Sequence, residues 1–424
     1  MRPKGPMEDA ASAEGGCQPH LVKKVVACFV NHIFSLGPIY SFSIFLPFIK
    51  ADLGISLSEV AAISSTLNTA AFAGSFLAGI TIPQRAGHAS VALIGAIGLS
   101  VGLASLSMIE KSFVAYAAAL LAGLGLGSTN LAGLVALNAT VAAKKRATFV
   151  GFASCGTSVG TMLLPHFYTL LTEAMDWRWA MRINAAVSVV FLTAAAPFFR
   201  VETAGGLLAS PTSRQGQVGP NLGIQEVLRD RRFLCWWLNM FVCFLGFYLP
   251  PTLLAEFAKN ELHLSANLTA VCYSLIGISG LFTRLSLGCL THLLGGPRRL
   301  FFTAQLLVGA LACCLPFCRR AESLLVWSAV YGSSLGPIIA LVSVVLSELF
   351  GTKDLALYHG CSRTGVGVGN LLGVPLLSLL AEQQGFTVAL ILSGALVSCS
   401  TVFLIVLELL HRKKQRDEVQ EGRC

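Results

Sequence analysis

The sequence predicts an all-α membrane protein with twelve transmembrane helices arranged as two pseudo-repeated six-helix lobes. Composition, the spacing of apolar segments and an internal glycine repeat predict it. Of 424 residues, 54% are hydrophobic and 12% charged, against about 25% charged in an average soluble domain. The net charge of +9 does not imply nucleic acid, because no basic run is interleaved with aromatics. The thirteen cysteines are mostly single, apart from Cys313-Cys314. They show neither metal-ligand spacing nor a secreted scaffold pattern and read as small apolar side chains. No cofactor and no metal are expected.

In chain order, residues 1–22 form a polar N-terminal tail and 23–199 a first six-helix lobe. The run Val25–Ile49 is too long for a signal-peptide core, so it counts as a first span. The spans Val60–Pro83, Val91–Ile109, Phe113–Ala143, Ala147–Leu171 and Ala180–Phe199 complete the lobe. Residues 200–232 are rich in Gly, Ser and Pro and read as a linker. Its end, from Asn221, suits either a short surface helix or a solvated loop. The second lobe, 233–410, holds Phe233–Leu254, Leu268–Leu290, Leu300–Cys318, Leu324–Leu346, Leu355–Leu380 and Phe386–Leu407, and 411–424 is a basic tail. Each span is near the roughly 20 residues that a hydrocarbon core of about 30 Å requires.

Most of the 30 Lys and Arg residues fall in the tails and in loops on the side of the termini. The positive-inside rule therefore puts both termini in the cytoplasm. A shift of 209 residues superimposes Gly37 on Gly246, Gly79 on Gly288, Gly87 on Gly296, Gly127 on Gly336, Gly151 on Gly360, Gly156 on Gly365 and Gly160 on Gly369. Two parallel six-helix halves are the architecture of a rocking secondary transporter. Gly123–Gly127 and Gly365–Gly369 look like fragments of nucleotide-binding loops but lack the strand–helix setting, and close helix approach explains them.

Gly37 to Phe45 (GPIYSFSIF) is similar to the G-x-x-Y-x-[WF]-S-x-F pattern of oxalate:formate antiporters. Lys145-Arg146-Ala147 with Gly151, Gly156 and Gly160 resembles the basic loop and glycine-spaced fifth helix of monocarboxylate transporters. Gly79 to Gly87, with Arg85, is a degenerate form of the loop motif between the second and third helices of the major facilitator superfamily. The chain thus resembles that superfamily, in the branch of these two groups. The resemblance implies the major facilitator fold, a small carboxylate substrate and basic substrate-binding residues on the eighth and eleventh helices. Phe282-Thr283-Arg284 matches the F-x-R pattern of the eighth helix. The monocarboxylate family's aspartate one turn earlier falls on Gly280, and its first-helix lysine on Phe42. These departures put its proton-symport machinery in doubt.

Arg284 and Arg363 are the candidate substrate-binding residues. A cation deep in a bilayer costs from about 2.5 kcal/mol to over 10 kcal/mol unless it faces protein or water. At about 1.5 Å per residue, both stems start roughly 10–12 Å below one surface, where two fixed cations favour a carboxylate. Hydrogen bonding to helix carbonyls is the structural alternative. Tyr40, Tyr248, Trp327 and Tyr331 are candidates for the cavity wall, with helix packing as the alternative, and His32 and His166 are candidate proton carriers. Arg182, after Asp176-Trp-Arg-Trp179, reads as an interfacial anchor.

The expected function is secondary active or facilitative transport of a small organic anion by alternating access, as an exchanger in one form. An amino acid or neutral metabolite, or a non-transporting nutrient sensor, stays open. No nucleophile–base pair marks an enzyme. The expected partners are the lipid bilayer and a small carboxylate. The plasma membrane is the expected location, with an organellar membrane and an ancillary membrane subunit left open.

Overall fold

The computed structural model describes residues 19–42, 45–55, 57–82, 87–201 and 223–421, and these are helical apart from short connections. The first half comprises α1 (Pro19–Ser41), α2 (Leu46–Leu53), α3 (Leu57–Thr81), α4 (Gly87–Leu106), α5 (Ser112–Thr140), α6 (Arg146–Ala174) and α7 (Trp177–Ala195). A short helix, α8 (Ile224–Arg229), follows the linker. The second half comprises α9 (Arg231–Gly246), α10 (Leu249–Asn260), α11 (Ala266–Leu285), α12 (Leu287–Leu293), α13 (Pro297–Cys314), α14 (Ala321–Phe350), α15 (Leu355–Gln384) and α16 (Phe386–Glu421). Nine helical segments among the described residues are long and apolar enough to cross a membrane, ten if the bent pair α11–α12 is one span. Large apolar side chains such as Ile94, Val190 and Leu376 point outward, as a lipid solvent requires.

Each of the twelve apolar runs falls on one helix or on two in series. Three that read as continuous are interrupted. The first divides into α1 and α2. The seventh divides at Phe247-Tyr248, just before Pro250 and Pro251, whose missing N–H groups interrupt the helical ladder. The eighth bends by 66° where α11 passes to α12. The end of the linker takes the helical option, and Asp230 caps α9 by accepting the Arg232 backbone N–H at 2.9 Å.

The glycine repeat is a packing code. A Cβ on Gly127 would run into the Ala71 carbonyl, and one on Gly336 would lie 3.0 Å from the Gly280 carbonyl. Ala71 and Gly280 are themselves 209 residues apart, so α5 on α3 repeats as α14 on α11. Between the halves the same rule holds. A Cβ on Gly79 of α3 would stand 2.5 Å from the Ala356 carbonyl and 2.8 Å from Gly360 Cα on α15. Its repeat partner Gly288 abuts Thr148 of α6, and a Cβ on Gly151 of α6 would stand 2.5 Å from the Arg284 carbonyl. Both crossings lie toward the face that holds the start of α1 and the end of α16, called here the termini face. There too, Asn138 Nδ2 donates to Ser343 Oγ at 3.1 Å and Arg146 Nη1 to Ser347 Oγ at 3.4 Å. That face is closed by backbone contact, because small residues let membrane helices approach this far.

Glycine substitutions separate packing within a half from packing between halves. Gly127→Val, within a half, lowers the thermal unfolding temperature of the purified protein. Gly79→Val, between halves, leaves the protein folded and lengthens the distance from the end of α3 to the connection just before α15, read by spin labels at Thr81 and Lys353. An unchanged distance in folded Gly79→Val would refute the gate.

Candidate functional site

Arg284 is the next-to-last residue of α11, and Arg363 lies two turns into α15. A Cβ on Gly156 of α6 would stand 3.0 Å from His32 Cβ of α1, and Arg363 lies between Gly360 and Gly367 of α15, which abut Gly79 and Phe72 of α3. Three of the residues singled out from the sequence share one region between the halves. Arg284 is buried and reaches across to the first half. Its Nη1 donates to Ser158 Oγ at 2.8 Å and to the Ser154 carbonyl at 3.2 Å, both on α6. Hydrogen bonds to a charged group contribute about 1.5–3 kcal/mol each, so this tie holds α11 to α6 while the termini face is closed. Arg363 is partly exposed.

His32 is buried, and its Nδ1 lies 2.7 Å from the Cys28 carbonyl. A carbonyl only accepts, so Nδ1 carries the proton and any exchangeable proton belongs on Nε2.

The helix bearing Arg363 is held on both sides of it. Trp236 Nε1 of α9 donates to Ser362 Oγ at 2.8 Å, and Trp237 Nε1 donates to Thr364 Oγ1 at 2.9 Å. Trp236 packs on Phe301 and Trp237 on Phe241, with ring centroids 5.5 Å and 5.6 Å apart. Two adjacent indoles thus fix the rotation of α15 about its arginine.

The aromatic candidates divide. Tyr248 is partly exposed at the α9–α10 break, its ring against Phe244 and Phe247. Trp327 and Tyr331 are buried and stacked 4.5 Å apart. Trp327 Nε1 donates to the Leu311 carbonyl at 2.7 Å, and the Tyr331 hydroxyl donates to the Phe247 carbonyl at 3.3 Å. Both side chains serve packing inside the second half. The side chains of Tyr40 and His166 lie outside the described residues. Arg182 lies over the Trp179 ring at 4.6 Å and donates through Nε to Ser107 Oγ.

Sequence reading missed the indole pair, the α6 serines and His359. His359 is buried four residues before Arg363, and neither ring nitrogen has a hydrogen-bond partner among the described residues. The i, i+4 spacing, which stacks two side chains on one helix face, was the available signal. The departures from the monocarboxylate pattern have a packing basis. A Cβ on Gly280 would stand 3.2 Å from the Gly332 carbonyl of α14, and Phe42 is buried near Phe45.

A family profile described as Major Facilitator Superfamily matches residues 28–317 and 287–423. The chain belongs to the major facilitator superfamily. It is 26% identical to monocarboxylate transporter 4 of Rattus norvegicus over 387 residues, 89% of this chain and 81% of the relative. That similarity supports a monocarboxylate transporter-like branch. The human organic anion transporter MFSD10 (TETRAN) has a similar fold, with a TM-score of 0.69 at 16% identity, covering 91% of this chain and all of that one. The E. coli fucose:proton symporter FucP gives 0.71 at 12% identity, covering 92% and 99%. The protein is a membrane transporter rather than an enzyme.

The indole clamp makes a specific expectation. Trp237→Phe keeps the ring and loses the bond to Thr364, a contribution of about 1 kcal/mol in a membrane helix pair. The KM for the transported solute then rises roughly fivefold at unchanged membrane abundance. Thr364→Val has the same effect, and the double variant adds little to either. Additive losses would show that the two side chains act separately.

Proposed function

We propose that this transporter carries a small organic anion, a mono- or dicarboxylate, by alternating access, and that it favours exchange. The convergence of Arg284 and Arg363 on one region between the halves carries the reading. Two guanidinium groups in a low-dielectric interior create a positive potential that selects anions, and a planar fork binds a carboxylate through two parallel bonds. The nearest acidic residues to Arg363 in sequence are Asp354 and Glu382, about 13 Å or more along the helix.

Arg284 links binding to gating. Opening the termini face separates α11 from α6 and removes the acceptors Ser154 and Ser158 from its guanidinium. A bound carboxylate replaces them, so the loaded carrier reorients at less cost than the empty one. This supplies a physical reason for exchange. The relative named as a monocarboxylate transporter and the neighbour titled as an organic anion transporter support the substrate class. The basic loops on the termini side support a cytoplasmic location of both termini, and the plasma membrane is the location we assign.

Counterflow in proteoliposomes tests the reading. Vesicles preloaded with unlabelled lactate, pyruvate, oxalate or formate accumulate the labelled anion with wild-type protein. Arg363→Gln and Arg284→Gln lower the rate at least tenfold, in line with loss of one charged hydrogen bond of about 1.5–3 kcal/mol. Wild-type counterflow with none of these acids, or folded variants with full activity, would redirect the assignment to an amino acid or neutral substrate and leave the arginines structural. Net flux equal to exchange flux would remove the exchange mode alone.

A further inference from the structure

A cavity of about 1130 Å³ opens at the termini face of the second half, lined by parts of α9, α13, α14 and α16 and by Arg146. Its charged rim carries Arg146, Arg298, Arg299 and Arg412 against Glu348 and Glu408, four positive charges against two negative. Arg298 Nη1 pairs with Glu408 at 2.7 Å and its Nε with Glu348 at 3.5 Å, while Arg412 Nε pairs with Glu408 at 3.0 Å. Both carboxylates are thereby engaged, and the rim keeps a net charge of two positive. Arg299 is exposed and enters no ion pair among the described residues.

The wall beside this rim is apolar and faces outward. Ile405 and Leu409 of α16 line the cavity and are 49% and 61% exposed. Below them α16 runs on without a break through Arg412, Lys413, Lys414 and Arg416, all exposed. An inorganic anion would engage only the charged rim and leave the outward-facing wall of Ile405 and Leu409 unused. A phospholipid uses both parts, with its phosphate at the arginines and its acyl chains along α16. Basic pockets between membrane helices, and clusters of Lys and Arg just beyond a span, both favour anionic headgroups.

We propose that this cavity binds the headgroup of an anionic phospholipid from the adjoining leaflet, with Arg299 and Arg412 as its principal phosphate contacts. Because Arg146 belongs to the first half and also bonds to Ser347 of the second, a headgroup at this rim adds to the contacts that keep the termini face closed. The site is distinct from the one at Arg284 and Arg363, and its test does not depend on transport.

Native mass spectrometry of the full-length protein, titrated with phosphatidylglycerol or phosphatidylcholine, reads the affinity directly. Wild type binds phosphatidylglycerol in preference to phosphatidylcholine. The double variant Arg299→Gln/Arg412→Gln weakens phosphatidylglycerol binding roughly 25-fold, about fivefold per surface charge, without changing phosphatidylcholine binding, and the corresponding Lys variant restores most of it. Equal binding of the two lipids by wild type, or unchanged phosphatidylglycerol binding by the Gln variant, would overturn the proposal. Displacement of the lipid by millimolar inorganic phosphate would also overturn it, by showing a soluble-anion site.

Discussion

A guanidinium inside a hydrocarbon slab has no water to return to, so the surrounding protein must satisfy it. Most of what positions the central region of this transporter follows from that constraint. Arg284 meets it by reaching into the opposite half, where a serine hydroxyl and a carbonyl accept its protons. Around Arg363 the neighbouring hydroxyls of Ser362 and Thr364 are taken by indoles, which sets the direction in which α15 presents its arginine. The same economy appears away from the centre. Asn239, Gln305 and Ser400 bond to one another across α9, α13 and α16, and Tyr168 donates to Asn184 across α6 and α7.

Closure is a second consequence of membrane physics. Helices in lipid gain little from burying apolar surface, so they hold together by contact and hydrogen bonding. Glycine backbones at Gly79, Gly360, Gly151 and Gly288 allow the two halves to touch where the chain's repeat brings them together. The interface is correspondingly shallow in chemistry: main chain against main chain, a few hydroxyls, and two arginines. Such a surface can be parted without exposing a large unsatisfied core.

Much of this was legible in the sequence. Apolar length located the spanning regions, and the offset of 209 residues matched seven glycine pairs; the structure adds that the contacts of Gly127 and Gly336, Ala71 and Gly280, keep the same offset. Counting along straight helices set Arg284 and Arg363 at one depth, an expectation that the 66° bend just after Arg284 interrupts. What escaped was lateral. Counting along a helix says how deep a side chain lies but not which neighbour it meets, so Trp327 and Tyr331 read as cavity wall although they bond inside the second half. The indoles at 236 and 237 carry no local signal in the sequence, because their partners lie over 120 positions away. The breaks at Tyr248 and Ser286 were hidden by hydropathy, which stays high through a bend.

The tie from Arg284 to α6 makes the two sides of the membrane inequivalent for anything that binds there. In the form closed at the termini face, a ligand arriving from the opposite compartment competes with Ser154 and Ser158 for the same N–H group. With that face open, those acceptors have moved away and the ligand meets no such rival. Under the anion-carrier reading, half-saturation is therefore polarised across the bilayer, and the thermodynamic balance of the cycle places the difference in the reorientation steps. Such a carrier rectifies kinetically while leaving the final equilibrium untouched.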